Sequence, residues 1–565
     1  MKTSIASCVS TSLSLLVGVL AIAAPLLYAA LGHSPPEEEW LPPEELALHA
    51  LLADSASPDC LSSVLAEQQV EILHDGNASS MPVVRWPRGS QSIAQPLSRC
   101  RLPVKLEESA PQWPALERWA SADYLTGALP TLKEAFLASS QEAAQALAAA
   151  ESLDLSEDGD PAGGDPADGD IPTKLPPLAG DPTGDVELEL PSSAFFNDAD
   201  GADALYFARW LGFSELAPLR ADASPHATLL IDDSVGGGGA SASAAEALQQ
   251  PSSSSAAAAA AAPRTPLGGD GSERRYFRLG SAGCVSTLHY DEYHNLFTQV
   301  TGAKRWFLLP PTALGGVLSH HKGHARYRQS PRRPVWQWDA RERRALGVRS
   351  VVLTAGQQLY VPPYWWHQTL TLQRSSAVNI WSPSAESRLA ERLQQLVPAT
   401  TALGAAASNA ADGAAAPGGR VGSSKERALG ALLRFARSVA RATVGGEGGA
   451  EGEEAGRALL AKLHRAQHQH TRATKQAAKD GSTAKVCAAA EAAGLEPKAA
   501  ADADAAAAQL GAALRTRLPG GVGQLVLADY LGDLADYLAS VVPPAWPPER
   551  GRATVMLCLG NRTRV

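Results

Sequence analysis

His289 and Asp291 stand two residues apart in Ser286-Thr287-Leu288-His289-Tyr290-Asp291, and His367 closes the run Tyr360-Val361-Pro362-Pro363-Tyr364-Trp365-Trp366-His367. Two imidazoles and one carboxylate can hold one face of an iron(II) ion and leave the opposite positions open for a co-substrate and oxygen. An extended strand turns side chains i and i+2 to the same side, so His289 and Asp291 can grip one ion together. His367 must then arrive from a distant strand, which a rolled-up sheet allows. A chain with 13 histidines and 59 acidic residues holds such triplets by chance. The spacing alone therefore identifies nothing, and its neighbours have to carry the argument.

Those neighbours are specific. Asn295, Lys304 and Arg305 follow on the stretch that ends Trp306-Phe307-Leu308-Leu309-Pro310-Pro311. A buried Lys304 demands an anionic partner. The alternative is a solvated lysine in the turn Thr301-Gly302-Ala303-Lys304. Arg305, next door, points to the opposite face and toward solvent. Downstream, Leu353-Thr354-Ala355-Gly356-Gln357-Gln358-Leu359-Tyr360 reads as strand, glycine turn and strand. Pro362-Pro363 ends the pairing. Trp365 and Trp366 then pack beside His367, drying and orienting it. Asn379-Ile380-Trp381 lies on the next strand.

Over roughly residues 113–384, and most strongly over 276–311 and 351–383, this chain resembles the JmjC and cupin-like (cupin-8) Fe(II)/2-oxoglutarate-dependent oxygenases, the asparaginyl-hydroxylase branch in particular. The resemblance implies a mainly β core, a double-stranded β-helix of the eight-stranded jelly-roll kind. It implies Fe(II) held by His289, Asp291 and His367, with 2-oxoglutarate and O2 as co-substrates. Lys304 then takes the far carboxylate of 2-oxoglutarate as a point charge. Ser286 and Asn295 hydrogen-bond the co-substrate, Asn379 contacts it, and Trp381 lines the substrate cleft. Tyr206, in Ala204-Leu205-Tyr206-Phe207, offers its hydroxyl to the same carboxylate; a core aromatic is the other reading. The family usually carries Thr where this chain has Ser286, and the hydroxyl is kept. The activity implied is hydroxylation of a protein side chain. N-methyl-lysine demethylation and tRNA hydroxylation share the same ligands, and a non-catalytic binding protein with a vestigial pocket is the fourth alternative.

The rest of the 565-residue chain sets the context. Charged residues make up 19% and the net charge is −10, which gives no reason to expect nucleic-acid affinity. Residues 5–31 carry no charge, Lys2 precedes them and Glu37-Glu38-Glu39 follows. Such a run can span a bilayer as a tilted helix, with the N-terminus cytosolic. A cleaved signal peptide, with apolar Leu13 to Leu20 before Ala21-Ile22-Ala23, is the rival. Either places the remaining chain in the secretory lumen; an organelle transit peptide fits less well, since arginine is absent there. Asn77-Ala78-Ser79 and Asn561-Arg562-Thr563 are sequons. Beyond Cys8 five cysteines remain, so at least one stays free or pairs between chains. Cys60 and Cys100 are candidates for a disulfide, and Cys284 for a buried thiol.

The expected order is a signal anchor or signal peptide over 1–32, a Pro-rich stem over 33–112, and the oxygenase domain over 113–384. Low-complexity insertions interrupt that domain near 154–185 and 235–272, and an Ala-rich helical region covers 385–565. Amphipathic patterns predict helices over 387–397, 425–442 and 525–542. In the resembling hydroxylases C-terminal helices pair two subunits, which implies a homodimer here. Two histidine groups stand apart from the triad. The strip His320-His321-Lys322-Gly323-His324 reads as a solvated insertion, a second metal site or a basic substrate-facing loop. His464, His468 and His470 read as one face of a helix, solvated or metal-binding.

Overall fold

A computed structural model describes residues 58–148, 188–223, 275–390 and 424–560, with short breaks inside each stretch. The expected membrane segment at 5–31, both sequons and both low-complexity insertions lie outside the described residues. Among the described residues no helix is long and apolar enough to cross a membrane.

Fourteen strands are described. They are β1 (Glu71–His74), β2 (Val83–Arg85), β3 (Val104–Glu107), β4 (Thr131–Ser139), β5 (Leu188–Pro191), β6 (Asp203–Trp210) and β7 (Arg275–Gly280), followed by β8 (His289–Tyr290), β9 (His294–Thr301), β10 (Ala303–Leu309), β11 (Arg349–Thr354), β12 (Gln358–Val361), β13 (Trp366–Thr371) and β14 (Ser375–Ser382). One sheet runs β1-β2-β3-β12-β9-β14-β7-β6-β4-β5 and the other β11-β10-β13-β8. The double-stranded β-helix expected from the resemblance is the four strands β12-β9-β14-β7 facing β11-β10-β13-β8. The larger sheet is extended at both ends.

Side-chain alternation builds the layers. On β10, Trp306 and Leu308 join Phe297, Leu359, Val361, Leu353 and Ala377 in the buried space between the sheets. Phe307 and Leu309, one residue out of phase, pack on the opposite face with Leu288, Tyr290, Trp366 and Leu370. The same happens on the large sheet, where Leu296, Val300, Phe277, Leu279, Val378 and Ile380 turn outward. There they meet Trp113 and Trp119, which flank the short helix Ala115–Arg118, and Leu125 of the helix Ala122–Ala128. A strand covered on both sides carries few exposed positions, and β9 is buried from His294 to Val300. Glycine turns join the strands: Gly302 has φ +70° between β9 and β10, and Gly356 has φ +83° between β11 and β12. A Cβ at Gly302 would lie 2.1 Å from the Arg374 carbonyl oxygen.

The expected stem is part of the sheet where it is described. β3 pairs antiparallel with β12, and β2 pairs with β3. Arg101 grips Glu386 through Nε and Nη2, at 2.5 and 3.1 Å, and its carbonyl accepts the Trp365 indole N–H at 3.0 Å. Residues on either side of the double-stranded β-helix are thus joined by a buried ion pair.

The C-terminal region is helical, as its patterns predict. Helices span Ser424–Thr443, Ala450–Gln467, Arg472–Lys479, Gly481–Ala492, Pro497–Arg517, Val522–Val541 and Pro548–Gly560. Of the pattern over 387–397, residues 385–388 are helical and those beyond 390 lie outside the described residues. The apolar stripe Leu429, Leu432, Phe435, Ala436 and Val439 recurs at helical spacing. It shares one core with Leu525, Leu531 and the outer face of the four-stranded sheet. The arginines outside that stripe do not simply face water: Arg434 pairs with Asp504, Arg437 with Glu491 and Arg441 with Glu453, each on a neighbouring helix.

Among the described residues two disulfides are present, Cys60–Cys100 and Cys487–Cys558, and Cys284 is a free buried thiol. Cys487–Cys558 closes a loop of sequence separation 71, so Cys558→Ala should lower unfolding free energy by about 2–4 kcal/mol. Denaturant unfolding under non-reducing conditions measures this, and in the unsubstituted chain peptide mapping should find Cys284 protected from alkylation until unfolding.

Candidate active site

The triad is assembled by strand register. β8 pairs with β13 so that His289 lies opposite His367 and Tyr290 opposite Trp366. Residues directly opposite in an antiparallel pair turn to the same face. The two imidazole rings accordingly lie 4.2 Å apart, centroid to centroid. Asp291 follows at the end of β8, where its carbonyl accepts the Tyr364 N–H at 2.7 Å. Its carboxylate Oδ2 stands 3.6 Å from His367 Nε2. One ligand atom from each of His289, Asp291 and His367 lies within 4.8 Å of the others, the one such group of three among the described residues.

The donor set fits a metal ion. His289 Nδ1 lies 2.7 Å from the Thr287 carbonyl and His367 Nδ1 lies 3.0 Å from that of Trp365. A carbonyl only accepts, so each Nδ1 carries the proton and each Nε2 keeps its lone pair for a metal. Burial pushes His367 down to about 4, with His289 adding to the effect and Asp291 opposing it. The ring is therefore neutral at physiological pH. Asp291 Oδ2 is buried with no hydrogen-bond partner, a loss a bound cation would make good.

Further along the interior stands Lys304, 2% exposed. Its ammonium lies 5.6 Å from the Phe297 ring and 5.9 Å from the Tyr206 ring. Among the described residues no carboxylate pairs with it. Burial first, with the charge of Arg278 adding to it and Cys284 opposing, pushes it down to about 8. Cys284 does not neutralise it, because burial raises that thiol to about 12. Arg305 turns the other way and is half-buried rather than solvated; burial lowers its basicity.

The remaining expected residues gather around this space, with partners the sequence did not reveal. Ser286 Oγ accepts the Thr369 N–H at 2.8 Å and the Thr369 hydroxyl at 3.0 Å. It fastens the approach to β8 onto β13 and still has its own proton to donate. Asn295 Oδ1 and Asn379 Nδ2 are buried and unpartnered. Trp381 lies 4.8 Å from the Tyr276 ring and 6.2 Å from that of Tyr293, forming an aromatic wall beside the site. Tyr206 and Asn379 both hold Arg278: the guanidinium donates to the Tyr206 hydroxyl, and its Nε donates to Asn379 Oδ1 at 2.6 Å. Arg278 was missed at the sequence level. The signal was the alternation on β7, where Phe277 and Leu279 are core-facing and Arg278 must take the opposite face.

The two histidine groups set apart earlier meet each other instead. His321 stacks on His468 at 5.0 Å, and His464 lies 6.3 Å from His468. His321 also touches the Arg552 guanidinium. Burial lowers His321 and His464 to about 4. His321 and Lys322 of the strip pack against the C-terminal helices, whereas His324 and Ala325 are exposed as expected of a solvated loop. His470 lies outside the described residues.

Comparison with known proteins agrees with this geometry at the level of the domain. Residues 218–385 match the family model described as a cupin-like domain. Similar proteins include lysine-specific demethylase JMJ30 of Arabidopsis thaliana, 32% identical over 19% of this chain. Jumonji C domain-containing protein 5 of Drosophila melanogaster is 35% identical over 18%, and tRNA wybutosine-synthesizing protein 5 of Danio rerio 35% over 19%. The matched stretch spans 26%, 26% and 31% of those relatives. The expected resemblance thus holds for the JmjC and cupin-like family, without singling out its asparaginyl-hydroxylase branch.

Loss of an outer partner of a ligand already costs about 10- to 100-fold in metal affinity. His289→Ala, which removes a ligand candidate outright, should cost more than about 100-fold. Iron(II) or manganese(II) titration followed by calorimetry checks this, with circular dichroism confirming an unchanged fold.

Proposed function

Since the chain carries a cupin-like domain of the JmjC kind, we propose that it is an Fe(II)- and 2-oxoglutarate-dependent dioxygenase that hydroxylates a protein side chain. The observation that carries the reading is a two-histidine, one-carboxylate group, with His367 kept neutral by burial, on the same interior as a buried lysine that has no carboxylate partner among the described residues. His289, Asp291 and His367 would hold the metal. Lys304 would hold the far carboxylate of 2-oxoglutarate, and Asn295 and Ser286 have hydrogen-bonding capacity left for the co-substrate. Bound iron(II) with 2-oxoglutarate supplies oxygen activation and hydrogen abstraction. The protein's own part is to orient and to exclude water. Trp306 stacks near His367 at 5.8 Å and shares the dry space between the sheets with Trp365, while Trp381 and the tyrosines beside it form the wall open to substrate.

A lumenal setting accompanies this reading. Two disulfides are at home in an oxidising compartment and rare in cytosol or nucleus. The uncharged run 5–31 supports a membrane anchor with the domain behind it. A lumenal site favours a secretory protein over chromatin or tRNA as substrate. Dimerisation through the C-terminal helices remains part of the proposal. Protease treatment of sealed microsomes should spare a C-terminal tag until detergent is added; digestion without detergent would favour demethylation of a nuclear protein or a tRNA substrate.

Turnover of 2-oxoglutarate to succinate, with mass spectrometry of a peptide library, tests the activity. One added oxygen on a side chain is the expected outcome; loss of a methyl from N-methyl-lysine would replace hydroxylation by demethylation.

Lys304→Ala should weaken 2-oxoglutarate roughly 10- to 150-fold while the metal stays bound. The wild-type affinity should also depend on pH. An unfolded lysine keeps its proton to near 10.5, whereas folded Lys304 releases it near about 8. Between those values the unfolded chain binds more protons, so the ligand-free protein gains stability as pH rises from about 8 toward 10.5. 2-Oxoglutarate, which binds the charged form, should remove that gain, and its affinity should fall as pH rises through about 8. Thermal melts with and without the ligand across this range measure both effects.

A further inference from the structure

Two cations share the interior beyond the triad, and the second has no role in the reading above. Arg278 lies on β7 opposite Ala377 of β14 and Ala208 of β6. The small side chains beside it leave its guanidinium room over the sheet. Tyr206 and Asn379 fix it from two sides, and its Cζ lies 5.9 Å from the Trp381 ring. Its charge reaches both ends of the site, lowering Lys304 on one side and His367 on the other. No carboxylate pairs with Arg278 or with Lys304 among the described residues. Two like charges held close in a largely dry interior are costly unless an anion joins them. Asn379 adds a buried, unpartnered amide donor at the same place.

We propose that Arg278 is a second co-substrate-binding cation, which with Lys304 makes the pocket selective for a 2-oxo dicarboxylate dianion. The proposal rests on the oxygenase reading and deepens it. Tyr206 then serves as a positioning residue: its hydroxyl accepts from the guanidinium and orients it, instead of being the carboxylate's main partner. Asn379 does the same through Oδ1 and keeps Nδ2 for the ligand. A guanidinium offers a planar fork to a carboxylate, whereas the Lys304 ammonium offers a point charge, so the two are not interchangeable. Together they should penalise a mono-acid such as pyruvate, which can chelate the metal but leaves both cations unpaired.

The test is anaerobic calorimetry of the full chain loaded with manganese(II), titrated with 2-oxoglutarate, pyruvate and succinate. Arg278→Leu should weaken 2-oxoglutarate and succinate roughly 10- to 150-fold and leave manganese(II) and pyruvate binding unchanged. Arg278→Lys should restore part of the loss. Tyr206→Phe should weaken 2-oxoglutarate more mildly, and it keeps the test decisive if Arg278→Leu fails to fold. Wild-type affinity for 2-oxoglutarate in both Arg278→Lys and Tyr206→Phe, or in Arg278→Leu, would overturn the proposal. So would a variant whose defect falls only on the oxidised substrate. Failure of the wild type itself to bind 2-oxoglutarate with metal present would overturn the oxygenase reading beneath it.

Discussion

Everything in the interior depends on the pairing of β8 with β13, two residues against two. A strand that short does not hold itself in place. A slip of one residue would turn Tyr290 inward and His289 outward and dissolve the triad. What pins the register is the packing behind it. Tyr290 is fully buried between Trp366, at 4.7 Å edge-on, and Tyr364, stacked at 5.7 Å. Tyr364 itself takes a left-handed backbone, φ +63°, and its N–H reaches back to the Asp291 carbonyl. Tyr327 donates to Asp529 at 2.6 Å, and the Tyr290 hydroxyl lies 3.5 Å from the same carboxylate oxygen. Asp529 belongs to the helix Val522–Val541. A C-terminal helix thus helps to set the position of a metal-ligand candidate more than two hundred residues earlier in the chain.

The electrostatics of the two ends differ for a physical reason. Around the triad, burial and a second imidazole keep His367 neutral and leave an unsatisfied carboxylate oxygen, a combination suited to a cation. Around Lys304 and Arg278 the surplus is positive and the neighbours are aromatic rings, hydroxyls and amides, a combination suited to an anion. A molecule with a metal-chelating head and an anionic tail satisfies both ends at once.

Much of this was legible in the sequence, and unevenly so. His289 and Asp291 were readable because strand geometry fixes the i, i+2 relation locally. His367 and Lys304 were readable by resemblance, since their partners lie on other strands. Register decides which residues end up opposite each other, and register is a long-range property. That is why Arg278 escaped notice although Tyr206 and Asn379, its two partners, did not. The added strands β1–β3 were obscured by a Pro-rich text whose short apolar runs give little periodicity. The Cys487–Cys558 bridge spans an alanine-rich stretch in which nothing local ties one cysteine to the other. The helices at 424–443 and 522–541 were plain from their pattern, but the surface they cover was not: an amphipathic stripe says that something is covered and leaves open what.

The shared core of sheet and helices has a consequence for where this protein can be cut. The matched segment, 218–385, has the look of a portable module, yet one of its two sheets has its outer wall completed by residues from 428 onward. Phe307, Leu309, Trp366 and Leu370 would be laid bare in a fragment that stops at the edge of the match, and Tyr290 would lose its polar anchor along with its cover. Such a fragment would present a contiguous oily wall directly behind its metal-ligand candidates. It would clump, or bind greasy strangers, before it could be assayed. Silence from a minimal catalytic fragment would therefore report on a missing wall and say nothing about the chemistry.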